Sequence, residues 1–373
     1  MPLLRRRLSL YRRTPQGRAL KPSTGDRILV AAPSWIGDAI MMHALLQRLR
    51  QLRPHCRIDV LAPAWCAPLL SRMPEVAACI DSPFEHGRFD WGRRRALGRQ
   101  LAAAAYDQAI VLPNSWKSAL APWFAGIPLR TGYHGESRYL LLNDRRRLGK
   151  PPPPRLVDRY AALAASAAAP PQDAPPPRLR ADAASETTTR RALGLAATGA
   201  PAVFCPGAEY GPAKRWPAHH FAALAQQVKT HTDMPVWLIG AAKETAIGDE
   251  IVRLAPGAAI NLCGRTTLQQ AIDLIAAARA VVSNDSGLMH VAAALQKPLA
   301  AIFGSSSPEY TPPLSSRAKI LAASFPCSPC FKRTCPLPPA EALRCLESVT
   351  PQDVLTALPQ LTRATPDAAF AAS

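Results

Sequence analysis

Short apolar runs alternate along this chain with stretches in which apolar residues recur every third or fourth position. RILVAA at 27–32 leaves a polar lead, turns apolar and is stopped by Pro33, which predicts a buried strand. After the loop 33–37, AIMMHALLQRLRQL at 39–52 keeps helical spacing. RIDVLAP at 57–63 predicts a second strand, 66–73 a short helix, and ACIDSP a third strand around 78–81. Residues 91–105 read as helix, DQAIVLPN at 107–114 as a fourth strand, and 115–124 as helix again. Strands alternating with helices at this interval indicate a parallel α/β sheet.

Proline then interrupts the pattern. PPPP at 151–154, PP at 170–171 and PPP at 175–177 flank one helical piece, RLVDRYAALAASAAA. Proline runs extend a chain and do not pack in sheets. The alternation resumes with strands at 201–207, 234–240, 258–264, 280–285 and 298–304. Helices are expected from about His219, from about Ala242, at 268–278 and at 286–295. The reading is two Rossmann-like α/β domains, at 25–165 and 185–349, joined by a proline-rich linker at 166–184. A basic arm at 1–24, expected to lack order, precedes them, and a helix and tail at 350–373 follow. Ligands of open α/β sheets bind at the carboxyl ends of the strands, so a cleft between two such domains is the expected site.

Composition supports this and adds a charge. The 373 residues are 48% hydrophobic, enough for two cores and incompatible with wholesale disorder. The net charge of +19 is uneven: +7 over 1–24, +9 over 25–160 and +3 over 161–373. Such a field attracts anionic membrane surfaces or phosphate-rich polymers. Against nucleic acid, no helix-turn-helix, RNP string or aromatic-interleaved basic stretch is present. No window is long and apolar enough for a transmembrane helix, and the basic start lacks the apolar core of a secretory signal, so a reducing cytoplasmic location is expected. Of nine cysteines, Cys56, Cys66, Cys79, Cys205 and Cys263 stand singly in apolar or helical contexts and read as small core residues.

Five places carry candidate chemistry. In VVSNDSGLMHVAAAL a strand ends at Ser283 and a helix starts near Gly287. Asp285 and Ser286 can cap that helix, its first amides and dipole suit a phosphate, and His290 follows one turn on. In FCPGAEYGPAKRWP, Lys214 and Arg215 sit on a loop beyond a strand end. Lys214 can act as a point charge for a leaving phosphate, and Arg215 can equally be a structural fork to a carboxylate. Asp38 lies at the start of the first helix, whose terminus favours its ionised form, and an ionised Asp there can accept a hydroxyl proton. Glu244, near the helix after Gly240, is placed to bond a ribose, as the acidic residue of nucleotide sites does. Cys327, Cys330, Cys335 and Cys345 could hold a structural Zn²⁺ tetrahedrally. An iron–sulfur cluster, a reducible disulfide pair or inert thiols are the alternatives.

Taken together these strings resemble glycosyltransferase family 9, the lipopolysaccharide heptosyltransferases. The resemblance is carried by PSWIGDAIMMHALLQRLR, DVLAPAWCAPLLSRMPEV, LPNSWKSALAPWFAGIPLRTGYHGESRYLLLND, FCPGAEYGPAKRWP and NDSGLMHVAAALQKPLAAIFGSSSPEYTPPL, in order between about residues 27 and 314. It implies a GT-B fold, two Rossmann-like domains facing each other across a cleft, with the acceptor in the N-terminal domain and the sugar nucleotide in the C-terminal one. The implied reaction moves L-glycero-D-manno-heptose, with inversion, from ADP-L-glycero-β-D-manno-heptose to the first heptose of heptosyl-Kdo–lipid A, on the cytoplasmic face of the inner membrane. Another sugar transferase of the same family, such as one adding the first heptose, is the alternative. No catalytic metal is implied. By position, Asp38 matches the family's base and Lys214 the Lys of the Lys-x-Trp-Pro string at the donor phosphate. Asp285, Ser286, Gly287 and His290 match the donor turn. Glu244 matches more loosely, and Asn114, Ser115 and Lys117 fall in the acceptor string. The arm at 1–24 and the cysteine set have no assured counterpart.

Overall fold

The computed structural model describes residues 26–84, 88–149, 155–170 and 172–362. The basic arm expected at 1–24 and the last part of the expected tail lie outside the described residues. The chain divides into two compact units between Pro177 and Arg178, within the proline-rich stretch.

The first unit holds strands β1 (Arg27–Ala31), β2 (Arg57–Ala62), β3 (Val76–Asp81), β4 (Gln108–Val111), β5 (Leu129–Tyr133) and β6 (Asp144–Arg146). Its helices are α1 (Ile36–Leu52), α2 (Ala67–Leu70), α3 (Trp91–Ala102), α4 (Leu120–Phe124) and α5 (Leu156–Ala161). All six strands are parallel, in the order β3-β2-β1-β4-β5-β6. The central strands β1 and β4 are buried on both faces, which is why they read as unbroken apolar runs. Edge strand β3 alternates in and out, so Cys79 is exposed and is not the core residue expected from its apolar neighbours.

Strands β5 and β6 are absent from the apolar pattern for a physical reason. Their side of the sheet is tied by polar side chains: Arg53 Nη1 donates to Gln108 Oε1 at 2.8 Å, Gln108 Nε2 to Thr131 Oγ1 at 2.9 Å, and Thr131 Oγ1 to Asp144 Oδ2 at 3.0 Å. Leu142 is buried in the apolar core of this unit, against Gly132 of β5.

The second unit repeats the architecture. Strands β7 (Ala202–Cys205), β8 (Val236–Leu238), β9 (Ala259–Asn261), β10 (Ala280–Asn284), β11 (Leu299–Phe303) and β12 (Ala318–Ala322) are parallel, in the order β12-β11-β10-β7-β8-β9. Helices α6 (Ala183–Ala192), α7 (Ala218–His231), α8 (Thr245–Leu254), α9 (Leu268–Ala277), α10 (Gly287–Ala294), α11 (Arg344–Glu347) and α12 (Pro351–Ala357) surround them. The core gathers Phe204, Trp216, Phe221 and Leu346, and α12 adds Val354 and Leu355, so the helix expected in 350–373 is part of this unit.

Helix α6 begins at Ala183, inside the expected linker, and its polar sequence hid it. Asp182 caps it through Ser185 N at 3.0 Å, and Ser185 and Thr189 bond the buried Asp273 of α9. Strand β12, exposed at three of its five residues, likewise shows no apolar pattern.

Both sheets have the Rossmann order, with the direction of winding reversing between β1 and β4 and again between β7 and β10. Loops leaving neighbouring strands at such a point diverge to opposite faces and open a crevice at the carboxyl edge. That edge is where each unit carries its candidate residues.

Candidate active site

In the first unit Asp38 follows β1, while Asn114, Ser115 and Lys117 follow β4. The two strands pair in register, Ala31 opposite Val111, so both loops leave the same edge. Helix α1 starts three residues earlier than the apolar spacing suggests, which places Asp38 in its first turn. No side chain caps α1. The carboxyl of Asp38 is half-buried, and burial pushes its pKa up to about 6. Desolvation therefore outweighs the helix terminus that was expected to hold the group at an ordinary carboxylate value. At pH 7 about nine-tenths of it is still ionised, and its basicity lies near neutrality, where a general base is most useful.

The acceptor-string loop is braced by two buried arginines that sequence reasoning passed over. Arg138 Nη1 donates to Pro113 O at 2.7 Å and its Nη2 to the carbonyl of Tyr133 and to Asn114 Oδ1. Arg94 Nη1 donates to Lys117 O at 2.8 Å. Nothing in sequence separates these from solvated arginines, since only burial reveals them. Asn114 stays exposed, and Ser115 and Lys117 are half-buried.

In the second unit Lys214 and Asp285 meet. Lys214 ends a single 3₁₀ turn (Pro212–Lys214) beyond β7. Asp285 follows β10, whose Ser283 pairs with Cys205 of β7. The ammonium of Lys214 bonds the Asp285 carboxylate, which also accepts from Ser306 Oγ on the loop after β11. Ser306 joins this cluster only through the fold, since nothing in the linear chain marks it.

Neither Asp285 nor Ser286 caps α10, contrary to expectation. The Asp285 carboxylate is engaged by Lys214 and Ser306, and the hydroxyl of Ser286, the N-terminal flanking residue, meets Ser283 Oγ at 3.3 Å. The first amides of α10 are thus left without a side-chain cap, with a lysine ammonium nearby, which is the arrangement an anion requires. His290, one turn on, is buried. Burial, reinforced by the Lys214 charge and opposed by Asp285, drives its pKa down to about 4, so it is a neutral imidazole rather than a cation.

Two further contacts fix the loop after β7. Asn284 accepts from Trp216 N at 2.9 Å and donates to Pro206 O at 2.8 Å. Among the described residues Arg215 reaches the Ala208 carbonyl, at 3.5 Å, and no carboxylate. Glu244 is buried, and one oxygen accepts from Ala241 N at 2.7 Å. A Cβ on Gly207 would lie 1.9–2.2 Å from the Glu244 carboxylate, so only glycine lets the β7 loop pass over it. Glu244 thus spends one oxygen within its own turn.

The four cysteines of 327–345 line one cavity together with Ala213 and Ser305. All are free thiols.

Comparison with known proteins agrees with this geometry. Residues 94–341 match the family model described as glycosyltransferase family 9 (heptosyltransferase). Lipopolysaccharide heptosyltransferase 2 of Escherichia coli K12 is 49% identical over 305 residues, 79% of this chain and 87% of that protein. Lipooligosaccharide heptosyltransferase 2 of Haemophilus influenzae is 48% identical over 79% of this chain and 88% of its own. Among solved structures, E. coli ADP-heptose LPS heptosyltransferase II superposes with a TM-score of 0.79 at 44% identity, covering 90% of this chain and 98% of that one. A family 9 glycosyl transferase from Veillonella parvula gives 0.76 at 20% identity over 90% and 97%, a likeness of fold. Two parallel six-stranded sheets of Rossmann order are the two-domain architecture of GT-B enzymes. With the family model covering most of its length and near-half identity over four-fifths of it, this chain belongs to glycosyltransferase family 9, the heptosyltransferases.

Proposed function

We propose that the protein transfers L-glycero-D-manno-heptose from ADP-heptose to the first heptose of the lipopolysaccharide inner core, heptosyl-Kdo–lipid A, inverting the anomeric centre. The observation that carries the reading is the pairing of Lys214 with Asp285 beside the uncapped start of α10, in a chain almost half identical to heptosyltransferase 2 of two organisms.

Inverting transfer is a single displacement. A base takes the acceptor hydroxyl proton as that oxygen attacks the anomeric carbon, and ADP departs with the bonding pair. Asp38 is assigned the base. Lys214 and the amides of Ser286 and Gly287 are assigned to the charge growing on the leaving diphosphate, and fixed donors of this kind are each worth roughly 3–4 kcal/mol at the transition state. Asp285 holds the Lys214 ammonium in place and is the positioning partner. Glu244 is assigned to the nucleoside ribose, and neutral His290 to a hydrogen bond in the donor turn. Asn114, Ser115 and Lys117 are assigned to the acceptor. No metal is assigned to the chemistry, and no nucleic acid to the partners.

The same reading places the enzyme in the cytoplasm, peripherally on the inner membrane. No helix among the described residues is long and apolar enough to cross a membrane. Support comes from a strip of rings on the first unit. Trp116, Phe89, Trp91, Phe124 and Trp123 follow one another with centroid separations of 4.9, 5.8, 5.0 and 5.0 Å, four of them exposed, and Arg93, Arg95 and Arg99 are exposed on the same helix as Trp91. Aromatic rings with arginines suit the headgroup region of an anionic leaflet.

The test is transfer from ADP-heptose to either heptose-free or mono-heptosylated Kdo–lipid A. Incorporation into the mono-heptosylated acceptor is expected. Incorporation only into the heptose-free acceptor would move the protein to first-heptose addition.

A further inference from the structure

Between β12 and α11 the chain runs from residue 323 to 338 with neither helix nor strand and is largely exposed. Such a segment buries little of its own and needs something else to order it. Cys327, Cys330 and Cys335 along it and Cys345 in α11 nevertheless converge on one cavity that Leu337 and Leu343 also line. Leu343 N–H donates to Cys335 Sγ at 3.4 Å. Arg344 lines the same cavity, and Lys332 and Arg333 lie between Cys330 and Cys335 in sequence.

Among the described residues, the only group with three metal-ligating atoms within 4.8 Å of one another is His219, His220 and Glu347. That trio is two adjacent histidines sharing one half-exposed carboxylate, an ordinary ion-pair cluster. No three of the cysteine sulfurs lie within 4.8 Å of one another, so a tetrahedral ion with bonds of about 2.3 Å would have to draw them inward.

The segment touches both loops of the second-unit site. Tyr210 Oη donates to Phe331 O at 2.7 Å and Ala213 N to Arg333 O at 3.1 Å, so the turn carrying Lys214 hangs on residues between Cys330 and Cys335. A Cβ on Gly211 would sit 2.4 Å from Arg333 O, which shows how closely the two loops are laid together. Ser328 Oγ donates to Gly304 O at 2.7 Å and Phe331 N to Ser305 O at 2.6 Å, next to Ser306, the partner of Asp285.

We propose that Cys327, Cys330, Cys335 and Cys345 form a tetrathiolate site for one soft divalent ion, Zn²⁺ or Fe²⁺, and that the loaded knuckle braces the Lys214 and Ser306 loops. On binding, each thiol loses its proton to solvent. The loaded site then carries a net charge of about −2. The link to donor binding rests on the function proposed above; the metal site does not.

The experiment uses the full chain, purified in reductant without chelator. Zinc and iron are counted per chain, and the identity of the bound ion separates the two. About one equivalent is expected, lost in Cys330→Ser/Cys335→Ser and kept in Cys79→Ser. Less than about a tenth of an equivalent, both as isolated and after adding Zn²⁺ to reduced protein, overturns the site, as does full retention by the double variant. The brace is read without ligand by amide hydrogen exchange over residues 208–216, in wild type stripped by chelator so that no variant need fold. Faster exchange that reverses on adding metal is expected, and unchanged exchange overturns the brace. Titration with ADP reads the donor link, with affinity expected to fall about tenfold on stripping. Failure of ADP to bind the metal-loaded protein counts against the donor reading and leaves the metal count and exchange to decide the rest.

Discussion

The ammonium of Lys214 rests on the carboxylate of Asp285, and the same carboxylate takes a hydrogen bond from Ser306. A carboxylate so engaged presents little free charge to a diphosphate, so its part in the proposed mechanism is to orient the cation. Lys214→Ala should lower turnover by about 10²-fold and weaken ADP-heptose affinity together. Asp285→Asn should mainly raise the donor KM, since the lysine remains but is no longer aimed. Steady-state kinetics in both substrates check this. If Lys214→Ala altered only the acceptor KM, the assignment would fail.

Asp38→Asn should cut turnover by about 10²-fold or more and leave ADP binding nearly intact. Turnover within about threefold of wild type would remove Asp38 from the base role. In the wild type, kcat/KM should fall on the acid side with an apparent pKa near 6, the value burial gives this group. A limb near 4 would show that the working base lies elsewhere.

The same burial has a stability consequence of definite sign. A carboxyl whose folded pKa is raised favours the fold at pH below the unfolded value of 3.8, and that contribution is lost as pH rises through about 6. Asp38→Asn should therefore raise Tm most at pH 8, where a desolvated charge is removed, and clearly less at pH 4.5. Thermal melts at the two pH values decide, and an equal shift at both would refute the desolvation account.

Gly207→Ala drives a methyl into the Glu244 carboxylate. A loss of roughly 1–3 kcal/mol is expected, as for other overpacked sites. Truncating the obstacle should relieve it, so Gly207→Ala/Glu244→Ala should lose less than the sum of the single variants. Additive losses in denaturant melts would mean that the two residues do not press on each other.

For the ring strip, Trp91→Ala/Trp123→Ala should weaken sedimentation with anionic phospholipid vesicles by about tenfold, with ADP affinity unchanged. Binding that is insensitive to these rings would place any membrane contact elsewhere on the chain.

How much of this was legible in the linear chain depends on where information about burial resides. Strands β1, β4, β7, β10 and β11 are buried along their length, so their composition alone announced them, and their alternation with helices fixed a parallel α/β fold in each half. The loops after β1, β7 and β10 could be located for the same reason, which is why Asp38, Lys214 and Asp285 were selected. Strands β5 and β6 and helix α6 could not be seen, because Gln108, Thr131 and Asp144 in the first unit, and Ser185, Thr189 and Asp273 in the second, hold them by side-chain hydrogen bonds rather than apolar periodicity. The pairing of Lys214 with Asp285, 71 residues apart, the support from Ser306, the arginine braces at Arg94 and Arg138, and the desolvation of Asp38 are properties of contact. The sequence determined which groups are present and at which strand ends. Only the tertiary structure decided which of them touch, and with what charge, because a side chain's partners and its dielectric surroundings are set by residues far away along the chain.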